Sequence, residues 1–239
     1  MNRTPTSAEP EAEARRIIAE YDRRDREIPS DFYALFHPQN LFAHQEHQRM
    51  LLHCLRRASL VPFGARRVLD VGCGQGDWLA VFEGFGARRE CLAGIELGEA
   101  RAAMAARRLD GADIRAGDAS HLPWPDHSFD VLFQRMMFTS ILDPAARRAA
   151  AAEAMRVARP GGAIIWVDFF INPRNPRVCP LGRADVRALF PNWQATFYRT
   201  TLAPPLARRL VPISWSLARA VEQLRIFNTF YFALLQPPL

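Results

Sequence analysis

The sequence contains no lysine. All 31 of its basic residues are arginine, and with the alanine-rich segments this bias reads as codon usage in a GC-rich, bacterial genome. Arginine clusters are missing too. A formal charge of +6 and a pI near 9.7 would permit an acidic partner. Yet the arginines come as pairs spread along the chain, among them Arg15/Arg16, Arg56/Arg57, Arg107/Arg108 and Arg208/Arg209. Scattered pairs are solvated helix faces, so no nucleic-acid-binding stripe forms and no nucleic-acid partner is expected. Cysteine is sparse. Cys54, Cys73, Cys91 and Cys179 lack metal-ligand spacing, and no secretory leader is read, so reduced thiols in a cytoplasmic protein are expected. Long apolar runs are absent as well, the nearest being "FNTFYFALL" at 227–235, far short of the roughly 20 residues a spanning helix needs.

What is present is an alternation. Residues 1–10 read as a frayed tail, 11–26 as a charged helix ended by Pro29, and 41–58 as a second helix with Leu41, Met50, Leu51, Cys54 and Leu55 on one face. These two helices form an N-terminal cap over 1–60. From Arg67 short apolar runs alternate with helical ones, the pattern of crossover units on a parallel sheet. Strands are predicted at 68–71, 91–95, 113–116, 129–133 and 162–167, with helices at 77–83, 99–108 and 144–157. Asp143 is the N-cap of the last helix and Pro144 stands in its first turn. A proline-rich loop follows, then a helix at 183–189, a strand at 195–200, helical sequence at 204–224 broken at Pro212, and a final strand at 226–235. The proline loop and the C-terminal helical stretch mark 172–192 and 201–225 as insertions in the 61–239 domain.

The informative stretch is "RRVLDVGCGQGDWL", Arg66 to Leu79. A dinucleotide loop seats pyrophosphate on a helix N-terminus. Asp70, at the mouth of Gly72, Gly74 and Gly76, opposes that, because a carboxylate at about 4 Å repels a phosphate by about 1–4 kcal/mol. Asp77 also stands where the dinucleotide pattern wants its last glycine. A cationic ligand without phosphate fits better, and S-adenosylmethionine is one. Asp70 can accept from its ammonium, and the glycines let the backbone approach. Glu96, ending "CLAGIE", can grip both ribose hydroxyls. Asp118 can accept from the adenine amino group while the Ala119 amide donates to a ring nitrogen. In an open parallel sheet the carboxyl ends of the strands share one crevice, so the three acids line one pocket.

By those motifs, the segment from Arg66 to about Asp168 resembles the class I S-adenosylmethionine-dependent methyltransferases, of the broad type 11 group that includes ubiquinone-pathway enzymes. "VLDVGCGQGDWL" matches the glycine motif, "GIEL" the ribose-binding acid, "AGDASHLPWPDHSFDVLF" the adenine loop and fourth strand, and "EAMRVARPGGAIIWVDF" the approach to the fifth. The resemblance implies an α/β, Rossmann-like doubly wound sheet of seven strands, mostly parallel with an antiparallel last strand. It also implies a cofactor site at Asp70, Gly72, Cys73, Gly74, Gly76, Glu96, Leu97, Asp118, Ala119 and Gln134.

Methyl transfer from a sulfonium is an in-line displacement at an activated carbon, so positioning dominates and a base matters only for a weak nucleophile. Asp168, ending "AIIWVD", is the expected base, and Gln134 in "LFQRMM" is expected to hold the methionine end or shape the acceptor pocket. His121 and His127 read as turn residues. His44 and His47 stand one helical turn apart, but no Asp, Glu or Cys completes a metal site with them. Phe32, Tyr33, Phe36 and Phe42 suit a lid. The expected acceptor is a small molecule, methylated at oxygen, of glycosyl, polyketide or lipid-linked type. Leu202, Leu206, Leu210, Val211, Ile213, Trp215 and Leu217 form either a core-facing stripe or, flanked by Arg208, Arg209 and Arg219, a face for membrane or a lipid-linked acceptor. The rivals are an RNA or protein methyltransferase, a cofactor-binding protein without turnover, and a nicotinamide-dependent oxidoreductase, which Asp70 disfavours.

Overall fold

The computed structural model describes residues 8–172, 175 and 177–238. The tail expected over 1–10 lies mostly outside these residues, as do three positions of the proline loop.

Charge pairing accounts for the first helix, α1 (Ala8–Glu27). Glu13–Arg16, Glu20–Arg23 and Glu20–Arg24 pair at helical spacing, at 2.8, 2.8 and 3.0 Å. The helix is anchored to the body of the fold through Glu13, whose Oε1 accepts from the amides of Leu142 and Asp143. The second helix, α2 (Pro38–Arg57), buries Leu51, Cys54 and Leu55. These join Val68 and Val131 in one apolar layer, so α2 belongs to the domain's core.

Then the alternation begins: β1 (Val68–Val71), α3 (Asp77–Gly84), β2 (Leu92–Glu96), α4 (Glu99–Arg108), β3 (Asp113–Ala116), β4 (Phe129–Arg135), α5 (Pro144–Val157) and β5 (Ala158–Phe169). Asp143 caps α5 as expected, accepting from the Ala145 and Ala146 amides at 3.0 and 2.9 Å. The chain closes with α6 (Arg183–Leu189), β6 (Gln194–Leu202), α7 (Pro204–Leu210), α8 (Trp215–Gln223) and β7 (Asn228–Gln236).

The seven strands stand in the order β3-β2-β1-β4-β5-β7-β6. The first five are parallel, and β7 runs antiparallel between β5 and β6. The order reverses at β1/β4, where an open α/β sheet places its ligand crevice. Apolar side chains fill both faces. One layer holds Leu69, Leu132, Ile164 and Trp166 beneath α5 and α6, and the other holds Val68, Phe133, Ile165 and Phe232 beneath α2, α3 and α4.

Strand ends differ from the sequence expectation where ladder partners override side-chain polarity. β4 continues through Gln134 and Arg135 because they pair with Trp166 and Val167 of β5. β7 starts at Asn228, since Arg225 turns the chain at φ +62° and leaves Ile226 and Phe227 exposed. The C-terminal apolar stripe divides between its two readings. Leu202 and Val211 are buried, while Ile213, Trp215 and Leu217 are exposed.

Candidate functional site: a cavity at the strand ends

Gly72, Gly74 and Gly76 all have positive φ, at +78°, +57° and +80°. Two of them are required by close contact. A Cβ at Gly72 would lie 3.0 Å from Met137 Cγ, and one at Gly76 would lie 2.8 Å from Leu109 Cδ1. The Gly72 and Cys73 amides donate to the Ile95 carbonyl at 2.8 and 3.0 Å, which folds the loop onto β2.

Glu96, at the end of β2, holds the same loop from its side chain. Its Oε2 accepts from the Gly74 amide and its Oε1 from the Gly98 amide, each at 3.0 Å. Glu96 also borders a cavity whose wall includes Gly72, Leu97, Asp118 and Ala119. Five residues named from sequence therefore meet around one space. Asp118 has two tasks: its Oδ1 accepts from the Ser120 amide at 2.8 Å, the turn role, and the residue still borders the cavity.

Asp70, Cys73, Gly74, Gly76 and Gln134 do not line that space among the described residues. Asp70 is 2% exposed, at the end of β1. Burial, reinforced by the nearby Glu96 charge, pushes its pKa up to about 8. Cys73 is buried against the Gly94 backbone, and burial raises its thiol pKa.

Asp168 is fully buried and borders neither of the two large cavities. It accepts from the Thr139 hydroxyl, and from the Thr139 amide at 3.4 Å. Burial raises its pKa to about 7 against the lowering effect of those bonds. Gln134 is 2% exposed; its Oε1 accepts from the Met137 amide at 3.3 Å, and its Nε2 has no partner among the described residues.

Several wall residues had no signal in the sequence. Glu13, Ile17 and Tyr21 of α1 cover the cavity, a task expected of the aromatic segment before α2. In that segment Tyr33 lines a different cavity, Phe32 and Phe36 are exposed, and Phe42 packs on Trp215 with ring centroids 5.2 Å apart. Met137, Ile141 and Arg135 complete the wall. Arg135 had one legible mark, a cation ending an otherwise apolar strand. Of the paired histidines, His47 Nε2 stands 2.6 Å from Thr201 Oγ1 and His44 is 3.0 Å from Gln48.

The donor set fits S-adenosylmethionine. A buried acid lies beneath the glycine loop, a carboxylate stands at the second strand end, and Asp118 and Ala119 flank an apolar slot closed by Ile141 and Ala146.

A family model described as a methyltransferase domain matches residues 69–166. Phthiotriol/phenolphthiotriol dimycocerosates methyltransferase of Mycobacterium tuberculosis is 35% identical over 122 residues, 50% of this chain and 43% of that protein. The 27-O-demethylrifamycin SV methyltransferase of Amycolatopsis mediterranei is 33% identical over 125 residues, 49% of this chain and 44% of the relative. The chain thus aligns with less than half the length of these curated relatives. In fold, a SAM-dependent methyltransferase from Thermotoga maritima superposes with a TM-score of 0.59 at 16% identity, covering 94% of this chain and 98% of the other. Sheet order, strand-end site and domain match agree: residues 69–166 match a methyltransferase domain, in a chain that shares the fold of SAM-dependent methyltransferase structures.

Proposed function

We propose that the protein transfers a methyl group from S-adenosylmethionine to an oxygen of a small-molecule acceptor of glycosyl, polyketide or lipid-linked type. The observation that carries the reading is the meeting of Gly72, Glu96, Leu97, Asp118 and Ala119 around one cavity above buried Asp70. Relatives support the acceptor class: one is named for phthiotriol dimycocerosates, the other for an O-demethyl rifamycin.

Bound there, the cofactor supplies an activated methyl carbon. Glu96 holds the ribose hydroxyls while keeping Gly74 and Gly98 in place, and Asp118 with the Ala119 amide reads the adenine edge. Asp70 becomes ionised against the ammonium, which is why a carboxylate tolerates that buried position. Ile17, Tyr21 and Met137 exclude water from the transfer path. Asp168 and Gln134 act from behind the cavity wall, Asp168 by fixing Thr139 and Gln134 by fixing the Met137 amide. The cytoplasm suits this chemistry, and the four cysteines are all unpaired.

Calorimetry tests the reading directly. Micromolar binding of S-adenosylhomocysteine without binding of NADH is expected. Binding of NADH, or of neither, would overturn it.

A further inference from the structure

A second cavity, of about 710 Å³ and open to solvent, lies between α2 and α3. Its wall is mixed: Tyr33, Leu35, Trp78, Val81 and Phe85 supply apolar and aromatic surface beside polar Asn40, His44 and Gln48. Arg135 borders this cavity and the cofactor cavity alike, so its side chain forms part of their shared wall.

The guanidinium is held in one orientation. Arg135 Nε donates to His47 Nδ1 at 3.1 Å, and arginine has no lone pair to offer in return. His47 is therefore neutral, with its proton on Nε2 and directed to Thr201 Oγ1 at 2.6 Å. The guanidinium carbon lies 5.5 Å from the Trp78 ring centroid. Both terminal nitrogens of Arg135 lack hydrogen-bond partners among the described residues, and no carboxylate there lies within the 4.0 Å of an ion pair. Asp168, Asp70 and Asp77 act on it from further away. The other charged residues of the cavity wall, Asp77 and Arg108, are paired with each other.

We propose that this second cavity receives the methyl acceptor, and that the acceptor is a planar phenol or enol whose oxyanion pairs with Arg135 at the shared wall. The inference rests on the methyltransferase reading above. A guanidinium fixed at Nε with two free donors favours the ionised oxygen, and the aromatic side chains of the wall suit a flat ring system. The acceptor's proton leaves to solvent on binding. The O–CH3 bond then forms as the S–CH3 bond breaks, with its electron pair remaining on sulfur as a neutral thioether. An oxygen already ionised needs no base in the cavity, consistent with Asp168 being engaged by Thr139.

The cofactor's own carboxylate is the other source of an anion for Arg135, and one experiment separates the two. 7-Hydroxycoumarin, whose phenolate and phenol forms fluoresce differently, is titrated into the protein saturated with S-adenosylhomocysteine, with 7-methoxycoumarin as the neutral control. The expected result is a preference of roughly tenfold for the hydroxy probe, bound as phenolate, which Arg135→Met abolishes when the variant too is saturated with S-adenosylhomocysteine. Ala43→Trp, which adds bulk to the cavity wall from α2, should block both probes. Failure of either probe to bind, equal binding of both by the wild type, or a preference surviving in Arg135→Met would overturn the proposal. So would a loss of S-adenosylhomocysteine affinity in Arg135→Met with the preference intact, which assigns Arg135 to the cofactor. If S-adenosylhomocysteine does not bind the wild type, the methyltransferase reading fails, and phenolate preference is measured separately without it.

Discussion

The Glu96 carboxylate accepts the Gly74 amide at 3.0 Å, joining the end of β2 to the glycine loop across 22 positions of sequence. Loop geometry therefore depends on the side chain proposed to hold the ribose. Glu96→Ala is expected to weaken S-adenosylhomocysteine binding by about 1.5–3 kcal/mol, through lost charge-assisted bonds and a loosened loop. Calorimetry reads the change, and an affinity within twofold of wild type would place the ribose elsewhere.

Asp70 should make stability fall as pH rises. Its pKa is 3.8 in the unfolded chain and about 8 in the fold, so between those values the native state holds a proton that the unfolded state has lost. Native protein then binds more protons, and this contribution to stability declines from about pH 4 to about pH 8. Asp70→Asn removes the decline. The variant should melt several degrees above wild type near pH 8 and match it near pH 4, while binding cofactor more weakly. Parallel melting curves across that range would show that Asp70 ionises normally.

The same group links cofactor binding to proton release. A cationic ligand over Asp70 lowers its pKa, so at neutral pH binding of S-adenosylmethionine should release a fraction of a proton, up to about one. Titrations in two buffers of different ionisation enthalpy measure it, and Asp70→Asn should abolish the difference. Equal heats in the wild type would contradict the placement of the ammonium.

The glycines of the loop should differ in cost. Gly76→Ala forces a Cβ to 2.8 Å from Leu109 at φ +80°, whereas Gly74→Ala meets no atom within 4 Å. Denaturant unfolding should show a loss of about 2–4 kcal/mol for the first and about 1 kcal/mol for the second, which carries only the backbone penalty. Equal losses would mean that the contact with α4 relaxes freely.

Asp168 and Thr139 should behave as a coupled pair. A double-mutant cycle with Asp168→Ala and Thr139→Val is expected to give about 1–3 kcal/mol of coupling, since each single change strands a buried polar group. Asp168→Asn retains an acceptor for Thr139 and should keep most of the methyl-transfer rate. A loss above roughly tenfold, with cofactor affinity unchanged, would make the carboxylate itself the proton acceptor.

Much of the architecture was legible in the residues. The span of β1, the 144–157 helix with its Asp143 cap, and the break at Pro212 follow from local rules: apolar runs, a capping oxygen, a ring without N–H. Glu96 was legible because it ends an apolar strand and Asp118 because it follows the next strand, and a parallel sheet brings strand ends together. The position of Asp70 was legible, but its burial was not. Burial depends on what α1 and the turn after β4 lay over the loop.

The sequence alone determined the order of elements, the glycine loop and the placement of acids at the strand ends, because these rest on contacts between near neighbours and on strand alternation. Tertiary structure alone decided that α1 closes the cavity, that Asp168 serves Thr139, and that Arg135 stands between two cavities with His47 behind it. Those pairings join residues 29, 88 and more than a hundred positions apart. No local pattern encodes them, since they arise only when packing of the two sheet faces fixes which distant side chains share a wall.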